Sequence, residues 1–192
     1  EWNPEKMEEW IRVTFLGGAR QVGRSCILLQ TPQTKILIDC GINPAAKGKE
    51  RFPYLDVPEF KINELDAIVL SHAHLDHSGL IPYLFKMGFK GPVYMTAPTR
   101  DLSALLALDF IGVAYKQATA PLFSSVDIKE MVKHTVCLNF NEVTDIAPDM
   151  RLTFYNSGHA LGSAITHINI GNGAHNLVYS GDLKYIKTRL LD

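Results

Sequence analysis

Residues 71–79 read SHAHLDHSG, which places three histidines and one aspartate within six positions. This stretch directly follows the apolar run AIVL, which is typical of a buried strand. His72 and His74 are separated by one residue, so in an extended backbone both rings project to the same side. Asp76 and His77 follow where the chain must turn to begin a helix. Histidine and carboxylate ligands without a thiolate are typical of zinc, iron or manganese sites, so the string predicts metal binding.

Two other turns carry side chains that could complete such a site. His159 lies in NSGHALGS and Asp182 in YSGDLK, each just after a predicted strand. A site for two metals also needs a ligand between the ions and distant residues to complete each coordination shell. Asp39 lies at the end of the apolar run KILID in a similar way. We expect it not to bind metal itself. Its carboxylate is expected to accept a hydrogen bond from the ring N–H of a metal-bound histidine, on the side away from the metal.

Composition limits the classes of protein that this chain can represent. Its 192 residues are 46% hydrophobic and 20% charged, as in one ordinary globular domain. The net charge of −1 excludes a global positive field, so a nucleic acid would have to be bound locally. The three cysteines are scattered without a CxxC pair and are expected to be small buried residues in a reducing, cytoplasmic compartment: Cys26, Cys40 and Cys137. No apolar run has the length of a membrane span.

The hydrophobic pattern predicts strands at both ends of the chain and helices between them, which indicates a layered α/β domain. Strands are predicted at residues 11–16, 25–30, 35–40, 66–70, 91–95, 136–139, 152–155, 164–170 and 176–179. Helices are predicted at residues 78–89, with Ser78 as cap, 97–117 and 124–134. Residues 41–63 are irregular, and the basic side chains there are expected to belong to a solvated loop, although they could touch a substrate: Lys47, Lys49 and Arg51.

These motifs together resemble the metallo-β-lactamase superfamily over nearly the whole chain. SHAHLDHSG is similar to its H-x-H-x-D-H motif, and LIDCG, GHALGS and SGD are similar to the flanking motifs in the same order. The resemblance implies an αββα sandwich with two metals at the edge of its sheets. GGARQVGRSC and GHALGSA resemble the β-CASP nuclease branch, and in particular archaeal homologues of the nuclease subunit of cleavage and polyadenylation specificity factor. Gln21 stands where that pattern usually has glutamate.

The resemblance also implies a role for each candidate residue. His72, His74 and His159 would hold a first zinc ion, Asp76 and His77 a second, and Asp182 would bridge the two. Manganese and iron are less favoured alternatives. Asp76 and Asp182 would act in catalysis with a hydroxide activated by the two ions, and Asp39 would support them from behind.

The domain organisation implied by the resemblance is that of a piece of a longer enzyme. Residues 1–10 would be a linker after RNA-binding KH domains, and residues 11–192 the N-terminal portion of the metallo-β-lactamase domain. A β-CASP insertion and the rest of the domain would follow, with one more metal-binding histidine and the general acid. The fragment alone is therefore expected to bind the second metal weakly and to show little activity. A homodimer is possible in such a family.

The function that these expectations favour is hydrolysis of RNA phosphodiester bonds, in RNA 3′-end processing or decay. His77 counts against a typical lactamase and His74 against a di-iron redox protein. A thioester hydrolase of glyoxalase II type shares the same central motif and stays open. A non-catalytic scaffold subunit of an RNA-processing complex also stays open, although such paralogues have typically lost ligands.

Overall fold

The first six strands of the chain form one mixed sheet, in a computed structural model that describes residues 10–182. Neighbouring strands follow chain order, β1 to β6. The strands are β1 (Arg12–Gly17), β2 (Cys26–Gln30), β3 (Lys35–Cys40), β4 (Ala67–Val69), β5 (Val93–Met95) and β6 (Thr135–Cys137). The β1–β2 and β2–β3 pairs are antiparallel, whereas β3 to β6 run parallel. The carboxyl ends of β3 and β4 therefore meet at one edge of the sheet.

The last four strands form a second, fully antiparallel sheet in the order β10-β9-β8-β7. They are β7 (Val143–Ala147), β8 (Met150–Asn156), β9 (Ala164–Ile170) and β10 (His175–Tyr179). Strand β7 was absent from the sequence prediction. Only Ile146 of its residues is fully buried, so its sequence carries too short an apolar pattern to predict a strand.

The helices lie between the strands of the first sheet in sequence. They are α1 (Leu75–Ser78), α2 (Ile81–Lys86), α3 (Ala97–Lys116) and α4 (Ser125–Lys133). A capping box between Ser124 and Asp127 begins α4. The predicted helix at residues 78–89 corresponds to α2, which is shorter. Ser78 is not its cap: it ends α1, and its hydroxyl donates to the Ala73 carbonyl at 2.7 Å.

Alternation along the strands of the first sheet divides the core into two layers. In β2, Ile27 and Leu29 join a cluster with Phe154 of the second sheet. The intervening Leu28 joins the cluster that contains Ile81 and other helical residues. The order of layers is therefore helices, first sheet, second sheet. These are successive layers of the predicted αββα sandwich, of which the described residues form the N-terminal part.

Residues 41–63 are folded rather than solvated. The segment contains two short 3-10 turns, Gly48–Arg51 and Ile62–Glu64. Its apolar side chains pack against the helical side of the core: Phe52, Leu55, Val57, Phe60 and Ile62. Lys47 and Lys49 are exposed as expected, but Arg51 is half-buried, so the prediction of a solvated loop was wrong for that residue.

The predicted boundaries of the domain are not tested by these elements. Residues 1–9 of the predicted linker, and residues 183–192 of the predicted domain portion, lie outside the described residues. None of the helices described combines the length and the hydropathy needed to span a membrane.

Candidate metal centre

Three segments at one edge of the two sheets carry the side chains predicted to bind metal, and Asp39 lies beside them near the end of β3. The chain after β4 supplies the SHAHLDHSG motif, and the loops after β8 and β10 supply His159 and Asp182. The two sheets are joined at this edge, because the Ala164 N–H donates to the Ser71 carbonyl at 2.8 Å. The site is therefore built where the inter-sheet core ends.

Gly41 sets the position of α1 against the end of β3. A Cβ on Gly41 would lie 1.7 Å from the Asp76 carbonyl oxygen, so only glycine permits this approach. Ile42 N–H also donates to the Leu75 carbonyl at 2.8 Å. The turn that carries Asp76 and His77 is thus held by backbone contacts to β3, and its two side chains project from a fixed position.

Three imidazoles and one carboxylate converge on a common point. The rings of His72, His74 and His159 lie with centroids 5.1–5.3 Å apart and planes nearly perpendicular. One ligand atom from each of these three residues and from Asp182 lies within 4.8 Å of the others. The Oδ2 atom of Asp182 is 3.3 Å from His159 Nε2 and 3.5 Å from His72 Nε2.

A second group forms directly beside the first. Ligand atoms of His72, Asp76 and His77 also lie within 4.8 Å of one another. Asp76 Oδ2 is 3.4 Å from His77 Nε2, and the other oxygen of Asp182, Oδ1, is 3.9 Å from the same nitrogen. Asp182 thus presents one oxygen to each group, which is the arrangement expected of a bridging ligand.

Two buried nitrogens at the centre have no hydrogen-bond partner among residues 10–182. They are Nε2 of His72 and Nε2 of His159. A buried polar atom without a partner is costly, and most such atoms in proteins are satisfied by protein or solvent groups. Both nitrogens lie within 3.5 Å of the Asp182 carboxylate. Together these side chains fit a cation that prefers imidazole and carboxylate ligands.

Asp39 lies behind His77 and is completely buried. The Nδ1–H of His77 donates to Asp39 Oδ2 at 2.6 Å. Ser71 donates twice to the same carboxylate, from its N–H to Oδ1 and from its hydroxyl to Oδ2, each at 2.7 Å. A histidine held through Nδ1 turns Nε2 toward the metal side. Asp39 therefore accepts a ring N–H from one of the converging histidines and does not itself join either group of converging atoms.

Burial and charge set the protonation of these side chains. Burial and the neighbouring charge of His77 lower the pKa of His72 from 6.5 to about 4, so this ring is neutral near pH 7. Burial opposes protonation of His77, but the hydrogen bond to Asp39 and the nearby Asp76 raise its pKa to about 10. Burial likewise opposes ionisation of Asp76, whereas its contact with His77 lowers its pKa overall. A cation that binds His77 Nε2 must therefore displace a proton.

The loop of His159 is anchored on the first turn of α3. The hydroxyls of Thr96 and Thr99 donate to the Gly162 carbonyl at 2.7 and 3.0 Å. Gly162 has φ of +80°, and a Cβ there would meet Thr96 Oγ1 at 2.7 Å. These two hydrogen bonds fix the loop to the start of α3. They therefore restrict the movement of His159 away from His72.

Two residues of this site, Ser71 and Tyr179, were not predicted from the sequence. Ser71 precedes the histidine motif and bonds Asp39, but a single serine carries no signal of such a role. Tyr179 ends β10 just before SGD, and its hydroxyl lies 3.4 Å from His77 Nδ1. Burial and the charge of Asp39 raise the pKa of Tyr179, so it stays a neutral phenol.

The remaining histidines and cysteines lie outside the two groups. In the part of the chain that the structure describes, no further group of metal-type side chains includes His134, His167 or His175. Cys26 and Cys40 are buried as expected, but Cys137 is exposed, so that expectation was wrong for the third thiol.

Comparison with known proteins fits this geometry. A family model described as a metallo-beta-lactamase superfamily domain matches residues 28–192. The chain belongs to the metallo-β-lactamase superfamily. The superfamily is in general one of metal-dependent hydrolases, and the resemblance that the motifs indicated is confirmed.

Curated relatives of this metallo-β-lactamase domain include archaeal proteins named transcription termination factor FttA, which are of the CPSF/β-CASP type. The protein of Methanothermobacter thermautotrophicus is 54% identical over 190 residues, which cover 98% of this chain and 30% of the relative. That of Methanosarcina mazei is 56% identical over 186 residues, covering 96% of this chain and 29% of the relative. The chain thus spans about 30% of the length of these relatives.

Solved structures show the same fold at low sequence identity. A metallo-beta-lactamase from Cronobacter sakazakii aligns with a TM-score of 0.62 at 22% identity, covering 93% of this chain and 62% of that one. A protein of unknown function from Enterococcus faecalis V583 aligns with a TM-score of 0.65 at 21% identity, covering 92% of this chain and 44% of that one. At this identity the likeness supports the metallo-β-lactamase fold alone.

Proposed function

We propose that the chain carries the metal-dependent centre of a ribonuclease that hydrolyses RNA phosphodiester bonds during RNA 3′-end processing, transcript termination or decay. The observation that carries this proposal is the placement of Asp182 between two groups of converging histidine and carboxylate atoms. The names of the relatives support a role in transcription, where RNA is the substrate at hand.

In this proposal six side chains hold two zinc ions. His72, His74 and His159 hold the first ion, Asp76 and His77 hold the second, and Asp182 bridges them. When bound in such pairs, divalent cations activate water and neutralise charge on the phosphodiester. The chain's own contribution is to fix the donors in place, and Gly41, Asp39 and the anchored His159 loop achieve this.

The burial of the donors gives the proposed site a buried side and an open side. His72 and His77 are buried, and Asp39 behind them is inaccessible. His74 and Asp182 are exposed, so a substrate can approach from their side. The phosphodiester groups of an RNA strand lie on its surface, so they can reach an open site of this kind. A deep substrate pocket is not required.

The proposal places this chain within a larger protein. Residues 11–192 would be the N-terminal portion of the catalytic domain, with KH domains before it and a β-CASP insertion after it. The greater length of the relatives supports additional domains. RNA would then be gripped by several domains, which is compatible with the net charge of −1 of this chain. A homodimer is part of the same proposal.

A cleavage assay with two substrates tests the proposal. The full protein is loaded with zinc and supplied with a single-stranded RNA or with a glutathione thioester. We expect RNA cleavage that leaves a 3′-hydroxyl and a 5′-phosphate, with activity abolished by His159→Ala and retained by His167→Ala, whose histidine lies away from both groups. Hydrolysis of the thioester without RNA cleavage would replace the proposal with a glyoxalase II-type activity. Failure to hydrolyse either substrate, with two metals bound, would favour a non-catalytic scaffold.

A further inference from the structure

The hydroxyl of Tyr179 reaches from the second sheet to the residues behind His77. Tyr179 is the last residue of β10, and its ring packs against the core between the two sheets. Its hydroxyl oxygen lies 3.4 Å from His77 Nδ1 and within hydrogen-bonding reach of the side chains of Asp39 and Ser25. The strand that leads into Asp182 is therefore joined, at its end, to the carboxylate that holds His77.

The chemistry of the groups fixes the direction of each hydrogen bond. The Nδ1–H of His77 is already donated to Asp39, and a carboxylate can only accept. The single proton of the Tyr179 hydroxyl therefore goes to Asp39, and its oxygen accepts from the Ser25 hydroxyl. The Asp39 carboxylate thus accepts from the backbone N–H of Ser71 and from three side chains, those of Ser71, His77 and Tyr179. Each of these donors helps to fix its orientation.

The turn that carries Asp182 folds back toward the same group of residues. Gly181 has φ of +53°, and a Cβ on it would lie 3.4 Å from the Ser71 hydroxyl oxygen and 3.6 Å from the Tyr179 ring. The backbone of the turn therefore passes close to Ser71 and to the Tyr179 ring. The Oδ1 atom of Asp182 then lies 3.9 Å from His77 Nε2, on the side of the imidazole away from Asp39.

Strand β10 gives this turn little other support. Among residues 10–182, β10 pairs with β9 alone, and the last pair of the ladder joins Tyr179 to Thr166. Its exposed side chains include Val178, and only Leu177 and Tyr179 are half-buried and pack against the core between the sheets. Because the ends of an edge strand open easily, the contacts of its last residue decide how well the following turn is placed.

From these contacts we propose that Tyr179 is a positioning residue for the second metal ion. Its hydroxyl fixes Asp39, and Asp39 in turn fixes the ring of His77, so that Nε2 keeps its direction toward Asp76 and Asp182. Tyr179 itself belongs to neither group of converging atoms. This role rests on the two-metal centre of the proposed function and adds a side chain that acts on it through another residue.

Zinc affinities of the full protein test this role without any cleavage assay. Tyr179→Phe keeps the ring in the core and removes only the hydroxyl. We expect the affinity for the second zinc ion to fall by about ten-fold, the lower end of the effect of removing a group behind a metal-bound histidine. The first ion keeps its three histidines, so its affinity is expected to change by less than about two-fold. Competition with a chromogenic chelator measures both affinities.

The matched control is Tyr155→Phe. Tyr155 lies on β8 of the same sheet, is 43% exposed and belongs to neither group of converging atoms. The same substitution at this position is expected to leave both zinc affinities unchanged.

A double-mutant cycle with Asp39→Asn separates positioning from a general effect on the fold. If Tyr179 acts through the Asp39 carboxylate, the two substitutions are not additive. Tyr179→Phe is then expected to change the second zinc affinity by less than about two-fold when Asp39→Asn is already present. A loss as large as in the parent would mean that Tyr179 acts independently of Asp39, which overturns the inference.

The remaining outcomes are equally distinct. Equal affinities for the second zinc ion in Tyr179→Phe and Tyr155→Phe overturn the inference, whether or not the protein cleaves RNA. A parent protein that binds a single zinc ion overturns it together with the two-metal centre. If Tyr179→Phe weakens the second ion but the zinc-loaded parent cleaves no RNA, the positioning role stands and the proposed ribonuclease activity fails.

Discussion

Asp39 and His77 share a hydrogen bond of 2.6 Å between Oδ2 and Nδ1 that is sealed from solvent at the end of β3. Asp39 has φ of +59°, an unusual conformation for a non-glycine residue. Ser71 holds the same carboxylate from the neighbouring strand end. The backbone of β3 thus adopts a disfavoured geometry in order to aim a carboxylate at one imidazole, which is a common feature of functional sites.

The first prediction concerns Asp39→Asn. The amide has the same size but cannot accept hydrogen bonds on both sides as the carboxylate does, so His77 loses its fixed orientation. We expect affinity for the second metal to fall by about 10- to 100-fold, with the first metal little affected, as for other residues behind metal-bound histidines. Competition with a chromogenic chelator measures both affinities. Equal losses at both sites would argue against a specific role for the pair.

The second prediction concerns the order in which metals bind. The first group offers four converging ligand atoms and the second group three, so the first site is expected to fill at lower zinc concentration. His159→Ala should remove only the first ion and Asp76→Asn only the second, whereas Asp182→Asn should weaken both. Metal content after dialysis, measured by mass spectrometry, checks each case. Loss of a single ion in Asp182→Asn would contradict the bridging position of this carboxylate.

The third prediction uses two glycines that differ in their surroundings. Gly41→Ala would place a Cβ against the Asp76 carbonyl, and we expect a loss in the free energy of unfolding of about 1–3 kcal/mol or more, as for overpacked cores. Gly112 in α3 has nothing within 4 Å of its added Cβ, so Gly112→Ala should raise stability by about 0.5–1 kcal/mol through helix propensity. Urea unfolding compares the two. A neutral Gly41→Ala would show that α1 does not depend on this contact.

The fourth prediction concerns the unusual Gln21. Its amide faces Arg24, which has no carboxylate partner in the described part of the chain. Gln21→Glu would supply one and is expected to stabilise the fold by about 0.5–1 kcal/mol at low salt, less at high salt, because Gln21 itself is exposed. Thermal unfolding at two salt concentrations measures the effect.

The sequence predicted the site more completely than the surface around it. The spacing of His72, His74, Asp76 and His77 is local, so a strand followed by a turn sufficed to bring them together. Asp39, His159 and Asp182 could be added because Asp39 lies near the end of β3 and the other two follow the ends of β8 and β10. Strand ends meet at a sheet edge. The contacts of Tyr54 with Arg24, whose guanidinium lies over the Tyr54 ring, depend instead on how an irregular segment folds over the helices. No periodicity marks such a segment, and the same limit hid β7 and the half-buried position of Arg51.

Anomalous diffraction at the zinc absorption edge, from crystals of the zinc-loaded full protein, tests directly whether these side chains hold two metal ions. We expect two peaks, one among the rings of His72, His74 and His159 and one beside Asp76 and His77, with Asp182 between them. An absence of anomalous signal among these side chains, in crystals that show zinc bound elsewhere, would contradict it.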